Sequence, residues 1–164
     1  MSKKKPRKKA YQPKKVDIFP EILMDGEPFE TSVKTFESEI NDGFIQLHLG
    51  AGGSEAYRSM MKFFLQGEIL AENFNEEDDL QTLFEDAMTA LADALFDFER
   101  VGRPNPEMIS ASQAAVPTLM ETVRRASVKQ LIIARASVRK NGDALLDEVL
   151  PQHYEERKAL SEQV

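Results

Sequence analysis

The sequence predicts an all-α fold, an irregular antiparallel bundle of four to five helices that follows a disordered basic N-terminal arm. Apolar residues recur every three or four positions through most of residues 29–138, which is the spacing of one helix face. Clusters of glycine and asparagine at 50–53 and 141–142 divide this pattern into segments of helical length. The first 15 residues contain eight Lys or Arg and no acid.

Four regions follow from this pattern. Residues 1–16 form a flexible basic arm, because its cations repel one another and few apolar groups offset the cost of ordering. Residues 17–30 form an irregular lead-in that proline and glycine interrupt. Residues 31–150 form the helical domain, and residues 151–164 form a polar C-terminal tail.

The first two helices are predicted from one apolar face each. Gly43 and the β-branched residues leave a strand alternative open for part of the first. The second helix spans about 55–73, and Ser54 is its predicted N-cap. The inward positions predicted for the two helices are Phe29, Val33, Phe36, Ile40 and Phe44, then Tyr57, Met60, Met61, Phe64 and Leu65.

The clearest helical pattern covers residues 79–101, with Asp78 or Asp79 as the predicted N-cap. Gly102 is expected in the left-handed position after its end. A helix then restarts near Pro106 or Ser112, and Pro117 opens the longer helix or kinks it. We expect this longer helix to end at Asn141–Gly142, before a short helical segment over 143–150. Its predicted buried stripe is Met120, Val123, Ser127, Leu131, Ala134 and Val138.

Composition excludes several classes of protein. Absence of cysteine rules out disulfides and thiolate metal sites and favours a reducing, cytoplasmic location. No apolar stretch is long enough to predict a membrane-spanning helix, and the basic start is followed by a polar segment rather than by the apolar core of a signal peptide. Ser2 also excludes N-myristoylation. We therefore expect no membrane partner.

Charge is sharply divided along the chain. Residues 63–99 contain 11 acids and no Lys or Arg, whereas residues 100–140 contain eight basic residues and two acids. One interpretation is internal, in which an acidic helix pair packs beside a basic helix. In the other, these residues form partner surfaces: a basic face for phosphates, or an acidic face for a basic protein or for imitation of nucleic acid. The predicted basic face is Arg124, Arg125, Lys129, Arg135, Arg139 and Lys140; the predicted acidic face is Glu76, Glu77, Asp78, Asp79, Glu85 and Asp86.

The arm has its own alternatives. Its cations can neutralise several phosphates of nucleic acid, and its one aromatic residue can stack on a base. It can instead fold back onto the acidic body, contact an anionic membrane surface, or act as a nuclear-import signal in a eukaryotic cell. The predicted contact residues are Lys3, Lys4, Lys5, Arg7, Lys8, Lys9, Tyr11, Lys14 and Lys15.

No motif predicts a catalytic, cofactor or metal site. The Gly50–Ser54 segment can hold an anion at a helix start but lacks the lysine of a nucleotide-binding loop, so we expect a flexible connection. His48 and His153 are isolated in sequence. The acidic run 76–79 lacks the spacing of a calcium loop and is better explained by helix capping. We expect a protein that is not an enzyme; the alternative is an enzyme that uses this run with a metal.

A homodimer is also an open expectation. The adjacent residues Phe63 and Phe64 point to different sides of a helix, so one of them lies at the surface or at a subunit interface.

The segment Lys9-Ala10-Tyr11-Gln12-Pro13-Lys14, followed by an irregular lead-in and a bundle of about four helices, resembles a group of small uncharacterised proteins carried by bacterial prophages and plasmids. The Gly50–Gly53 linker and the acidic 68–99 stretch depart from that pattern. The resemblance implies a bacterial mobile-element origin and carries no active site with it.

Together these observations predict a non-enzymatic interaction or regulatory protein, encoded by a phage or prophage, whose arm contacts nucleic acid or an acidic partner. The alternative is an acidic binder that inhibits a basic host protein, such as a nucleic-acid-processing enzyme.

Overall fold

A computed structural model describes residues 26–163, and within that range it contains six α-helices and no strand. The all-α prediction is therefore confirmed. The predicted arm, residues 17–25 of the predicted lead-in and residue 164 lie outside the described residues. The helices are α1 (Gly26–Leu49), α2 (Gly53–Ala71), α3 (Glu77–Val101), α4 (Pro106–Gln113), α5 (Val116–Arg125) and α6 (Val128–Glu162).

The described residues divide into two compact units, and the boundary between them lies between Phe36 and Glu37. The structure describes residues 26–36 of the first unit, which form the N-terminal turns of α1 and include the end of the predicted irregular lead-in. The strand alternative for this region is wrong, because the three-four spacing continues through a regular helix. Of the inward positions predicted for α1, Val33, Phe36, Ile40 and Phe44 are buried, whereas Phe29 is half-buried; Leu47 is also buried. All packing described below lies within the second unit.

Helix α2 is central to the second unit and packs against α3, α5 and α6. The Phe64 ring lies between the rings of Phe44 and Phe84, with centroid distances of 6.5 and 6.2 Å. All three are almost fully buried, and aromatic pairs at this separation stabilise a core beyond the area they bury. The inward positions predicted for α2 are confirmed.

Gly67 allows three helices to approach closely. A Cβ atom at this position would lie 2.7 Å from Leu119 Cδ1 and 2.9 Å from Phe84 Cε2. Side chains of α5 and α3 therefore occupy the space that any other residue on α2 would need, and the helix–helix distance depends on this glycine.

Helix termini confirm some predicted caps and correct others. Gly102 has φ of +85° and follows α3 as expected. Asp78 and Asp79 lie inside α3, which begins without a side-chain cap. Ser54 likewise lies inside α2, after the left-handed Gly52. These hydroxyl and carboxyl groups do not cap, because each helix begins earlier than its pattern indicated.

Two short helices, α4 and α5, each have a proline in their first turn. Pro106 begins α4, and the Asn105 side chain accepts hydrogen bonds from the backbone N–H groups of Glu107 and Met108. Pro117 lies in the first turn of α5, so it opens that helix rather than kinking a longer one. Ser127, predicted as buried, is instead the N-cap of α6 in a reciprocal capping box with Gln130.

Helix α6 does not end at Asn141–Gly142, and it includes most of the predicted polar tail over 151–164. Gly142 is buried within the helix; a Cβ there would lie 3.1 Å from Val138 one turn earlier on α6 and at an ordinary contact distance of 3.6 Å from Lys62 on α2. Beyond Gly142, ion pairs join α6 to α2: Arg58 lies 2.9 Å from Asp147, and Lys62 lies 2.6 Å from Asp143.

Candidate functional site

Two members of the predicted basic face have partners within the second unit. Arg125 donates to Glu76 Oε1 at 3.1 Å, and its guanidinium lies 4.3 Å from the centre of the Phe74 ring. Arg124 donates to Glu37 Oε1 at 3.2 Å. The Glu76 side chain, from the predicted acidic face, thus pairs with a residue of the basic face of the same chain, at the surface. These contacts favour the internal interpretation for these residues.

The other four predicted cations are Lys129, Arg135, Arg139 and Lys140, all on the N-terminal half of α6. Among the described residues none of them forms an ion pair, and no acid occurs between residues 122 and 142. Lys129 and Lys140 are about 20° apart around the helix and about 17 Å apart along it. These two lysines are exposed on the same side of α6; Arg139 is also exposed, and Arg135 is half-buried on a different side of the helix.

The remaining predicted acids lie on α3. Asp78, Asp79, Glu85 and Asp86 are exposed, and none forms an ion pair with a described residue. Glu77 is only half-exposed. Glu85 and Asp86 follow Asp78 by seven and eight residues, which is about two helical turns, so the three side chains share one face of α3.

An open groove of about 550 Å³ lies between α2, α3 and the C-terminal half of α6. Its carboxylates are Glu68, Glu85 and Glu156, and its lining includes His153 but no Lys or Arg. Leu145 and Val149 form its outer wall, and each is 42% exposed. Its apolar residues are Met61, Leu65, Met88, Ala92, Leu145, Leu146, Val149 and Leu150.

Glu68 has an unusual environment at this groove. Burial, together with the nearby carboxylate of Glu85, raises the pKa of Glu68 to about 7. Its buried Oε2 atom has no hydrogen-bond partner among residues 26–163. A carboxylate in such surroundings is more stable when it is protonated or when a cation lies beside it.

The two histidines contact different side chains. His153 Nε2 lies 2.7 Å from Asp93 Oδ1, and the same oxygen lies 3.2 Å from Arg157 Nε. His48 Nε2 lies 3.1 Å from Gln113 Oε1. Across the described range, no three His, Asp or Glu side chains form a cluster suited to a metal ion.

The glycine-rich loop before α2 has the wrong charge for an anion site. Gly52 and Gly53 have positive φ values and lead into the helix N-terminus. However, Glu55 lies in the first turn, and the Ser54 hydroxyl donates to Glu99 Oε2 at 2.8 Å. Two carboxylates near this terminus would repel a phosphate.

Sequence reasoning missed the groove. The local signal was a second apolar row, Leu145 and Val149, beside the buried row Leu146 and Leu150. A helix with two such rows has an apolar face wider than one neighbour covers. Glu68 carried no local signal, because its burial depends on residues from other helices.

The predictions for the arm and for a homodimer are not tested by the described residues. The arm residues Lys3 to Lys15 lie outside the described residues. Phe63, offered for a dimer interface, is half-buried, and the homodimer stays a prediction. Within residues 26–163, no helix combines the length and the apolar character needed to span a bilayer.

Comparison with models of known protein families, with curated protein sequences and with solved structures finds no match to this chain.

Proposed function

We propose that this chain is a non-enzymatic interaction protein, encoded by a phage or prophage, that works through surfaces of opposite charge. The observation that carries the proposal is a separation of charges that have no ion-pair partner among residues 26–163, with cations along the first half of α6 and carboxylates along α3. Unpaired surface charges of one sign attract a partner of the other sign and increase its rate of association.

The leading function is contact with nucleic acid. The arm contributes eight cations in 15 residues, and α6 adds four cations without ion-pair partners in the described part of the chain. Lysine and arginine at such positions contact phosphates and do not read bases, so the protein would bind without sequence preference. An acidic protein is the alternative partner for the same cations.

The test replaces Lys129, Arg135, Arg139 and Lys140 together by glutamine. Because each phosphate contact contributes about 0.9 to the slope of log Kobs against log salt for duplex DNA, we expect the slope to become shallower by up to about 3.5. Deletion of residues 2–15 should abolish binding at low salt. The measurement is fluorescence anisotropy with a labelled duplex over a salt series.

The matched control replaces the exposed cations Arg103 and Lys158 by glutamine and should leave the slope unchanged. Equal losses in control and test variants would contradict a specific role for α6. Salt-independent affinity would exclude phosphate contact as the source of binding.

A second candidate function is binding of a basic host protein, such as a nucleic-acid-processing enzyme that the chain would inhibit. The specific observation in its favour is that Asp78, Asp79, Glu85 and Asp86 are exposed on α3 and unpaired within the described residues. A surface of this kind resembles the phosphates that such an enzyme binds.

Pulldown from a bacterial lysate, with and without nuclease, separates the two functions. If the acidic face binds protein, the partner should survive nuclease treatment, should not require residues 2–15, and should be lost when Asp79, Glu85 and Asp86 are changed to lysine. Changing the exposed acids Glu148 and Glu155 on α6 to lysine is the control and should retain it. Loss after nuclease or after deletion of the arm would favour nucleic acid instead.

A further inference from the structure

We propose that the groove between α2, α3 and the C-terminal half of α6 is the docking site for a basic amphipathic helix of a protein partner. This inference rests on the second function above, because it identifies where the acidic face binds and what kind of segment it binds.

The outer wall of the groove is apolar and exposed. Leu146 and Leu150 of α6 are 2% and 7% exposed and face the bundle, whereas Leu145 and Val149, one residue earlier in each case, remain 42% exposed. The two exposed side chains are four residues apart and so stand on the same side of α6. An apolar row beside an apolar floor is the surface that a helix covers when it binds in a groove.

The floor has side chains suited to such an occupant. Met61 comes from α2 and Met88 from α3, and both line the groove. Methionine is flexible and polarisable, so it adapts to the shape of an apolar side chain that enters.

Charge complementarity identifies the sign of the partner. Glu68, Glu85 and Glu156 come from three different helices and all line the groove, while no Lys or Arg does. The acids Asp78, Asp79 and Asp86 extend the negative charge along α3 beyond it. A partner with lysine or arginine beside its apolar face would place cations near these carboxylates, including the unpartnered Oε2 side of Glu68.

The length of the groove sets the length of the segment. On α6 the groove extends from Leu145 to Glu156, which is about 17 Å of helix. That length accommodates about three turns, enough for apolar anchors at positions i, i+4 and i+7 of the partner.

The carboxylates that line the groove disfavour a second copy of this chain and an anionic lipid surface as its occupants. In a symmetric dimer through this face, the three glutamates of one copy would approach the three of the other, and like charges across an interface cost affinity. An anionic lipid surface would be repelled for the same reason.

The test uses two synthetic peptides of about 14 residues with identical leucine and lysine content. In one, the leucines occupy positions i, i+4 and i+7 of a helix; in the other, their order is scrambled so that no apolar face forms. Fluorescence anisotropy with the full-length protein should show binding of the amphipathic peptide at least about tenfold tighter than the scrambled one.

Protein variants locate the binding site. Replacing Leu145 and Val149 by glutamine should weaken the amphipathic peptide by about tenfold and leave the scrambled peptide unaffected. Leu160→Gln is the matched control, because Leu160 is 56% exposed on the same helix and does not line the groove. Helix content and thermal melting by circular dichroism check that each variant is folded.

The outcomes separate this inference from the function on which it rests. If both peptides bind equally and only lysine substitutions at Asp78 and Asp79 weaken them, the groove inference is overturned and the acidic-face function stands. If neither peptide binds, the groove inference is overturned, and the pulldown described above decides the acidic-face function separately. If sedimentation shows a dimer that the Leu145 and Val149 substitutions dissociate, the occupant is a second copy and the inference is overturned.

Discussion

Gly67→Val is expected to lower the free energy of unfolding by about 2–3 kcal/mol. The first atom of any side chain at position 67 would be placed 2.7 Å from Leu119 and 2.9 Å from the Phe84 ring. Both neighbours are fully buried in a close-packed interior, so an added side chain requires one or both of them to shift. That shift disturbs the packing of α2 against α3 and α5.

Urea unfolding followed by circular dichroism measures this loss. Ser59→Val is the matched control, because Ser59 is exposed on the same helix and the substitution introduces the same β-branched residue without burial. Combining Gly67→Val with Phe84→Leu should cost less than the sum of the two single substitutions, since the shorter side chain relieves part of the clash. Strict additivity of the two would show that the ring and position 67 do not interact.

Glu68→Gln is expected to stabilise the protein at alkaline pH, by about 1–3 kcal/mol near pH 8.5. The pKa of this carboxyl is raised from 4.5 to about 7, first by burial and then by the charge of Glu85. Between these two values the folded state holds a proton that the unfolded state has released. Stability of the natural protein therefore falls as the pH rises through this interval, and glutamine, which does not ionise, removes that loss.

Unfolding midpoints in urea at about pH 4 and about pH 8.5 provide the measurement. The difference between Glu68→Gln and the natural protein should be near zero at the lower pH and reach its full value at the higher one. Glu72→Gln controls for general loss of negative charge, because Glu72 is exposed one turn later. An equal difference at both pH values would mean that ionisation of Glu68 is not its cause.

The parts of the fold that follow from local spacing were predictable from sequence. The buried faces of α1 and α2 follow three-four periodicity, and Gly102 ends α3 in the left-handed conformation. Each of these depends on residues within one or two helical turns of one another. Local chemistry is sufficient where one helix face determines both the element and its burial.

The end of α6 was not predictable in this way. Asn141–Gly142 is a common helix-terminating signal, yet here the helix continues for 20 residues to Glu162. The reason is contact with a distant segment: Asp143 pairs with Lys62 of α2, and Asp147 pairs with Arg58 of the same helix. Contacts between residues some 80 positions apart in sequence therefore allow the helix to continue through the Asn141–Gly142 signal.

The positions of the charges could be predicted from the sequence, but their pairing could not. Charge segregation is visible in sequence, but which charges are already paired depends on the fold. Arg125 meets Glu76 across 49 residues of sequence, whereas Lys129, four residues later, meets no acid in the described part of the chain. The groove was missed for the same reason, because its three glutamates lie on three helices.

The last turns of α6 are attached to α3 by contacts that depend on direction. Asp93 meets both His153 and Arg157, Asp97 meets Arg157, and the Phe96 ring lies 5.9 Å from that of Tyr154. Apolar burial tolerates some turning of a helix about its own axis, but ion pairs of defined geometry do not. These contacts therefore fix the rotation of α6 about its own axis at the C-terminal end. That rotation determines which side chains of α6 point outward one and two turns earlier.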